Sequence, residues 1–450
     1  MTSGSPIAPQ RCVLVLPSTG EFDSRTFRIA SSLVARGHIV TVVARQGPGL
    51  AVDEVHPTGY RILRVPVSAI AGLPGPVRSI ARRLRRGSAQ RAGEGATEGS
   101  PTGTAGAAAP RRAGQVARLR RLAAGFARLG AIALTVRAQQ MASRQVAPTA
   151  ELVHAMAYMG IPVGLDLGRR DRAAVVYDAR DIYVDAANLA RLPRPARAVF
   201  GRLERSWARR ATRVITVNEP YAAVMAERFG VERPLVVMNC SYRRPADPVR
   251  SRRFHERLGL GPGIRVVLYQ GAFSRDRGIE QLIDALRLLP PAAVLALVGY
   301  GALRAELEQA ARDPALSSRL FVLPAVPPTE LLDWVASADV VAMPIQPTTL
   351  NHRLTTPNKL LEAMAAGVPV VASDLPGMAP IVLSTGCGVV CDPTDPVALA
   401  AAIRSILELP EAERAALGLR GLRAAHETYN WESQMDLLLA QYGRLTGRPW

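Results

Sequence analysis

The chain has little from which a metal site or a covalent nucleophile is ordinarily built. Its 450 residues include four cysteines and six histidines. Cys12, Cys240, Cys387 and Cys391 have neither zinc-ligand nor redox-dithiol spacing, which points to reduced, structural thiols. No D-x-D triplet occurs, so a carboxylate clamp for a divalent ion is not evident, and neither a metal nor a cofactor is expected. Aromatic residues make up 5% of the chain and are not interleaved with the basic ones. That argues against the stacking platforms of single-strand binding, and no nucleic acid is expected as a partner. The opening MTSGSPIAPQR has no apolar signal core, and no run reaches the length of a membrane span. The expectation is a cytoplasmic protein, at most peripheral on the inner face of the plasma membrane.

Acidic residues are also in deficit: 37 Asp and Glu face 56 Lys and Arg, a formal charge of +19. Such a charge speaks to anionic partners rather than to fold. Apolar residues make up 48% of the chain, enough for the cores of two or three domains.

The order strand, glycine-containing turn, helix, strand occurs twice, first at CVLVL (12–16), Gly20, 23–35 and 38–44, and again from Gly263 onward. This is a doubly wound α/β opening, whose ligand loops lie at the carboxyl ends of the strands. Residues 86–115 are Gly-, Ala-, Ser-, Thr- and Pro-rich with almost no large apolar side chains, and a disordered insert is expected there. Residues 116–140 interleave apolar and basic positions at helical spacing. They read either as a basic amphipathic helix on an anionic membrane surface or as a domain helix with a solvated basic face.

The stretch from Thr355 to Pro376, TTPNKLLEAMAAGVPVVASDLP, organises the remainder. Pro357-Asn358 suits a helix start; Leu360, Leu361, Met364 and Ala365 recur at helical spacing, and Gly367 with Pro369 ends the helix before a strand. Unpaired donors at that helix start, with Lys359 beside them, suit phosphate oxygens. Glu362, one turn on, suits a vicinal diol such as a ribose; the same pattern also fits an amphipathic helix with one solvated glutamate. In GAFSRDRG (271–278), Arg275 and Arg277 precede another helix start, where a leaving diphosphate would be stabilised. His154 ends one strand, and Asp178, Arg180 and Asp181 follow the strand AVVYD; each also fits an ordinary structural role.

PNKLLEAMAAGVPVVAS resembles the nucleotide-sugar-binding segment of family 4 glycosyltransferases (glycosyl transferases group 1), retaining enzymes of GT-B fold. Apart from 86–115 the resemblance runs through nearly the whole chain. It implies two Rossmann-like domains facing across a cleft: 1–245 binding the acceptor, 246–428 binding the nucleotide sugar, and 429–450 as a helix returning to the first. It places Glu362 on the ribose, and Lys359, the helix start at Asn358, Leu360 and Arg277 at the diphosphate, with Arg275 beside them. Val326 falls at the nucleobase loop and Gly20 at the glycine loop near diphosphate and acceptor. Arg277, Lys359 and His154 stand as the catalytic set, and Asp178, Arg180 and Asp181 on the acceptor side. Three positions depart from the family: Leu354 replaces the sugar-side glutamate, Met156 a second histidine, and Ala272 the loop arginine.

The implied activity is retaining transfer of a sugar from a nucleoside diphosphate sugar to a hydroxyl of a cell-envelope glycan or lipid-linked acceptor. Uridine is the expected base and guanosine the alternative. Two other readings stay open: a degenerate, non-catalytic GT-B binding protein, and a GT-B nucleotide-sugar 2-epimerase.

Overall fold

The computed structural model describes residues 8–21, 23–68, 111–244 and 251–450. The chain divides into two compact units. The first holds residues up to Ile215 with Ala226–Glu232 and Tyr442–Trp450, and the second holds Thr216–Met225 and Arg233–Gln441.

The first sheet contains β1 (Arg11–Val15), β2 (Ile39–Arg45), β3 (Asp53–Val55), β4 (Arg61–Val65), β5 (Leu152–Met156), β6 (Ala174–Asp178), β7 (Arg213–Thr216) and β8 (Leu235–Val236), in the order β3-β4-β2-β1-β5-β6-β7-β8. β3, at the edge, pairs antiparallel with β4, and the pairings from β4 through β2, β1, β5 and β6 to β7 are parallel. Strands β1 and β5 are buried on both faces, so Cys12 to Val15 and Leu152 to Met156, the polar His154 included, are buried side chain after side chain. The strand order reverses at β1 and β5, so the loop after β1, with Gly20 in it, opens at the switch point where such sheets bind ligands.

The second sheet contains β9 (Arg265–Ala272), β10 (Ala293–Tyr300), β11 (Leu320–Leu323), β12 (Val340–Met343), β13 (Val370–Ser373) and β14 (Gly388–Cys391). Its order is β11-β10-β9-β12-β13-β14, parallel throughout, and its switch point falls at β9 and β12. Alternate residues of β9 face opposite cores. Val266 and Leu268 pack on the helix Asn358–Ala365 through Leu360, Leu361 and Met364, while Val267 and Tyr269 pack on the helix Ile279–Leu288. Each such apolar side chain contributes on the order of 1.5–3 kcal/mol by leaving water.

Two expectations change. Of the insert expected at 86–115, residues 86–110 lie outside the described residues, and 111–115 are not loop but the first turns of a helix. That helix runs Arg111–Val146, beyond the expected 116–140 at both ends, because helix-favouring Ala and Arg continue to either side. Between 117 and 134 only Gly125 is buried; the packed face begins at Val136 with Ala138, Gln139 and Ser143. The end of the helix Trp431–Thr446 and the residues after it, from Tyr442 on, belong to the first unit.

Candidate functional site

In the first unit the charged residues singled out by sequence converge below the surface. Asp23 caps the helix Ser24–Val34 by accepting from Thr26 N (2.8 Å), and its second oxygen accepts from Arg180 Nη1 at 2.7 Å. Arg25, two residues on, turns inward and donates from Nε to Asp178 Oδ2 at 2.6 Å. The same oxygen lies 3.1 Å from His154 Nε2, and His154 Nδ1 lies 2.5 Å from the Tyr442 hydroxyl. His154, Asp178 and Tyr442 are each 0% exposed and Arg25 is 1% exposed. Burial lowers the His154 pKa, against the pull of Asp178. At Asp178 burial acts to raise the carboxyl, but the Arg25 charge and the bonds from His154 and Arg25 outweigh it and hold it well below the usual range.

Thus both nitrogens of His154 are engaged inside the protein, and neither is turned to a sugar hydroxyl. Arg180 and Asp181 are partly exposed, as is Gly20, which sits at φ +90° just after β1. Arg25 and Tyr442 were not singled out from sequence. The alternation of the helix Ser24–Val34 could have pointed to Arg25, whereas nothing local marks Tyr442.

In the second unit Lys359 is the centre of the other group. It is the only lysine in the sequence, all other members of the Lys and Arg set being arginine, a signal that sequence reasoning passed over. Its Nζ stands 3.6 Å from the centroid of the Tyr269 ring, and among the described residues it has no hydrogen-bond acceptor. Burial first, and the Arg277 charge second, push its pKa well below the ordinary value, with Glu362 opposing. The Tyr269 hydroxyl donates to Ala272 O (2.9 Å), which fixes the ring. Gly271, at φ +124°, leaves room: a Cβ there would lie 3.6 Å from Lys359 Nζ. Gln270 Nε2 donates to Glu362 Oε2 at 3.4 Å. Arg277 acts electrostatically on Lys359, Tyr269 and His352. Its loop is pinned at Gly278, where a Cβ would fall 1.9 Å from Pro344 O, so no larger residue fits.

The helix Asn358–Ala365 starts without a side-chain cap. Asn358 is exposed; Leu360 is fully buried and its N–H is taken by Pro357 O, so of Leu360 only packing is available to the site. Arg275 is not brought to this group. It is 66% exposed and lies 3.5 Å from Glu306 and 4.0 Å from Glu280. Val326 is half-buried and packs against the core that carries the helix.

Asn218, missed as a site residue, donates to Leu354 O (2.8 Å) and Thr356 Oγ1 (3.1 Å), and the Tyr221 hydroxyl donates to Asn351 O (2.9 Å). Together they hold the turn that presents the helix start. Among the described residues no group of three or more His, Cys, Asp or Glu is placed to hold a metal ion, and no helix is long and apolar enough to cross a membrane.

Residues 264–409, which contain this second group, match the family model for glycosyl transferases group 1. Over that segment the chain is similar to glycosyl transferases group 1. A D-inositol 3-phosphate glycosyltransferase of Xylanimonas cellulosilytica is 32% identical over 208 residues, 45% of this chain and 48% of that protein. A GDP-mannose-dependent alpha-(1-6)-phosphatidylinositol monomannoside mannosyltransferase of Mycolicibacterium smegmatis is 34% identical over 194 residues, 42% of this chain and 50% of that one. The chain spans about half the length of the curated relatives it matches. Among solved structures, a sucrose-phosphate synthase from Thermosynechococcus elongatus superposes with a TM-score of 0.67 at 21% identity, covering 97% of this chain and 99% of that one. Anabaena HepE in complex with UDP-glucose gives 0.63 at 18%, covering 97% and 100%. At these identities the likeness is one of fold, and the fold is GT-B, built of two Rossmann-like parallel-sheet units.

Proposed function

We propose that this chain is a retaining hexosyltransferase that moves a sugar from a nucleoside diphosphate sugar to a hydroxyl of a cell-envelope glycan or lipid-linked acceptor. The observation that carries this reading is Lys359. A buried ammonium without an acceptor is costly, and a diphosphate oxygen is the acceptor it lacks. Arg277 and the uncapped start of the helix Asn358–Ala365 add positive potential at the same place, where charge develops on a departing diphosphate. Glu362, one turn along, takes the ribose hydroxyls. Val326 lines the base.

No protein nucleophile is needed on this reading: the leaving phosphate accepts the proton of the attacking hydroxyl on the face it departs from, and configuration is retained. The first unit supplies the acceptor side through the partly exposed Arg180 and Asp181, while Asp178, fully buried, supports that side from within through Arg25 and His154. His154 positions Asp178, since its own nitrogens are engaged. The arginines of the helix Arg111–Val146, with no acid among them, suit an anionic membrane surface and hence a lipid-linked acceptor met at the cytoplasmic face. The names of two relatives, one acting on inositol 3-phosphate and one on a phosphatidylinositol mannoside, support an acceptor of that polarity.

The test is donor hydrolysis and thermal shift against UDP-, GDP- and ADP-sugars with the wild type and Glu362→Ala. One nucleotide class should stabilise and turn over with the wild type, the gain being lost in the variant. Binding without turnover would favour the non-catalytic reading; turnover to an isomeric nucleotide sugar would favour an epimerase.

A further inference from the structure

On β9 the row that faces the helix Asn358–Ala365 runs Val266, Leu268, Gln270. Its first two members are apolar and buried in the core, and a third apolar residue would complete the row. Instead there is an amide, 4% exposed. Its orientation is dictated by chemistry: only the NH2 group can face a carboxylate, and Nε2 is directed to Glu362 Oε2 at 3.4 Å. Oε1 therefore points away from Glu362, and among the described residues it is buried without a hydrogen-bond partner. An amide oxygen left so is destabilising to the folded chain.

We propose that Gln270 is a nucleotide-binding and discrimination residue whose Oε1 accepts a hydrogen bond from a ribose hydroxyl of the donor, an inference resting on the donor reading given above. The carboxylate of Glu362 accepts hydrogens and donates none, and Gln270 Oε1 beside it does the same, so a ligand that meets the two side chains together must bring hydrogens on adjacent atoms. A phosphate has none to give at neutral pH; a vicinal diol has two. Gln270 does this in addition to restraining Glu362 through Nε2, so a single side chain both aims the carboxylate and reads the neighbouring hydroxyl. Loss of a neutral hydrogen bond of this kind corresponds to about a 3- to 10-fold change in affinity.

The experiment is calorimetric titration of UDP, GDP, their 2′-deoxy and 3′-deoxy forms, and UDP-glucose into wild type and Gln270→Leu, with melting temperatures of the unliganded proteins alongside. The wild type should prefer a ribonucleotide to at least one deoxy form. Gln270→Leu should bind the ribonucleotide about 3- to 10-fold more weakly, lose that preference, and melt no lower than wild type, since leucine completes the apolar row. A wild type indifferent to both ribose hydroxyls overturns the inference even should the variant fail to fold, and so does a variant that keeps the full preference. A variant impaired for UDP-glucose but not for UDP also overturns it, because the oxygen would then face the sugar. If neither UDP nor GDP nor UDP-glucose binds the wild type, the donor reading itself fails and this inference with it.

Discussion

The two groups of polar residues are built from similar parts and differ in what they leave over. Around Asp178 a guanidinium, an imidazole and a phenol are fully buried and bond in a chain through Asp178 Oδ2 and His154, while among the described residues Asp178 Oδ1 has no hydrogen-bond partner. Around Lys359 an ammonium rests on an aromatic face, a glutamine keeps an oxygen back, and a glycine leaves space beside the charge. A buried network of ion pairs and hydrogen bonds of the first kind organises the unit that contains it. Groups left short of partners, as in the second, are what a ligand completes. Substitutions should therefore separate the two: damage to the first group is read as lost stability, and damage to the second as lost binding.

The largest effect is expected at Asp178. Asp178→Asn removes the charge between Arg25 and His154 and breaks a buried ion pair, which should cost about 3–5 kcal/mol of unfolding free energy. Denaturant melts followed by far-UV circular dichroism measure this. A loss below about 1 kcal/mol would mean that the network does not hold the unit together as described.

The next effect is smaller and has a pH signature. Glu204, on the helix Arg194–Arg210, accepts a hydrogen bond from the Tyr177 hydroxyl at 2.8 Å, and burial raises its pKa to about 7. A raised folded-state value gives stability that is complete below the ordinary carboxyl pKa and is lost as pH rises through about 7. His154, whose value is lowered, works in the opposite sense, its contribution being lost as pH falls below the ordinary imidazole value. Glu204→Gln should remove the first component alone, leaving a variant more stable than wild type at pH 8 by on the order of 1–3 kcal/mol and little different at pH 5. Thermal melts between pH 5 and 8 check it; parallel curves for the two proteins would refute the assignment.

The smallest effect concerns protons at Lys359. Because burial and Arg277 depress its pKa, an arriving diphosphate should draw a proton onto it. Nucleotide affinity should then fall as pH rises through the depressed range of this lysine, and any heat of binding carried by proton uptake, at most about one proton, should differ between Tris and phosphate buffers. Buffer-independent heats would show that the lysine is already charged before the ligand comes.

Much of the fold was legible because parallel strands buried on both faces write themselves as short apolar runs between helical periods, as at Cys12 to Leu16 and Val266 to Leu268. The second group was legible for the same local reason: Asn358, Lys359 and Glu362 stand on a single short helix, so their spacing fixes their common neighbourhood. The closure of His154 was not legible, since the hydroxyl that occupies it belongs to Tyr442, 288 positions downstream. Arg275 reads like Arg277 in sequence, yet its acids Glu280 and Glu306 draw it outward, and one of them lies on another helix. Gln270 was within reach of pattern reading, as the one polar residue that breaks the row Val266, Leu268. Residues 111–115 were lost to composition: their alanine and arginine count equally toward a helix and toward the low-complexity stretch before them.

The central claim is that the group around Lys359 is held for a nucleoside diphosphate and not for the stability of the unit. Calorimetric titration of UDP and GDP into wild type and Lys359→Met, with unliganded melting temperatures measured in parallel, tests it most directly. The account predicts that wild type binds at least one of the two, that the variant binds it at least about tenfold more weakly, and that the variant melts no lower than wild type. Equal affinities, or a variant that loses stability while keeping the nucleotide, would contradict it.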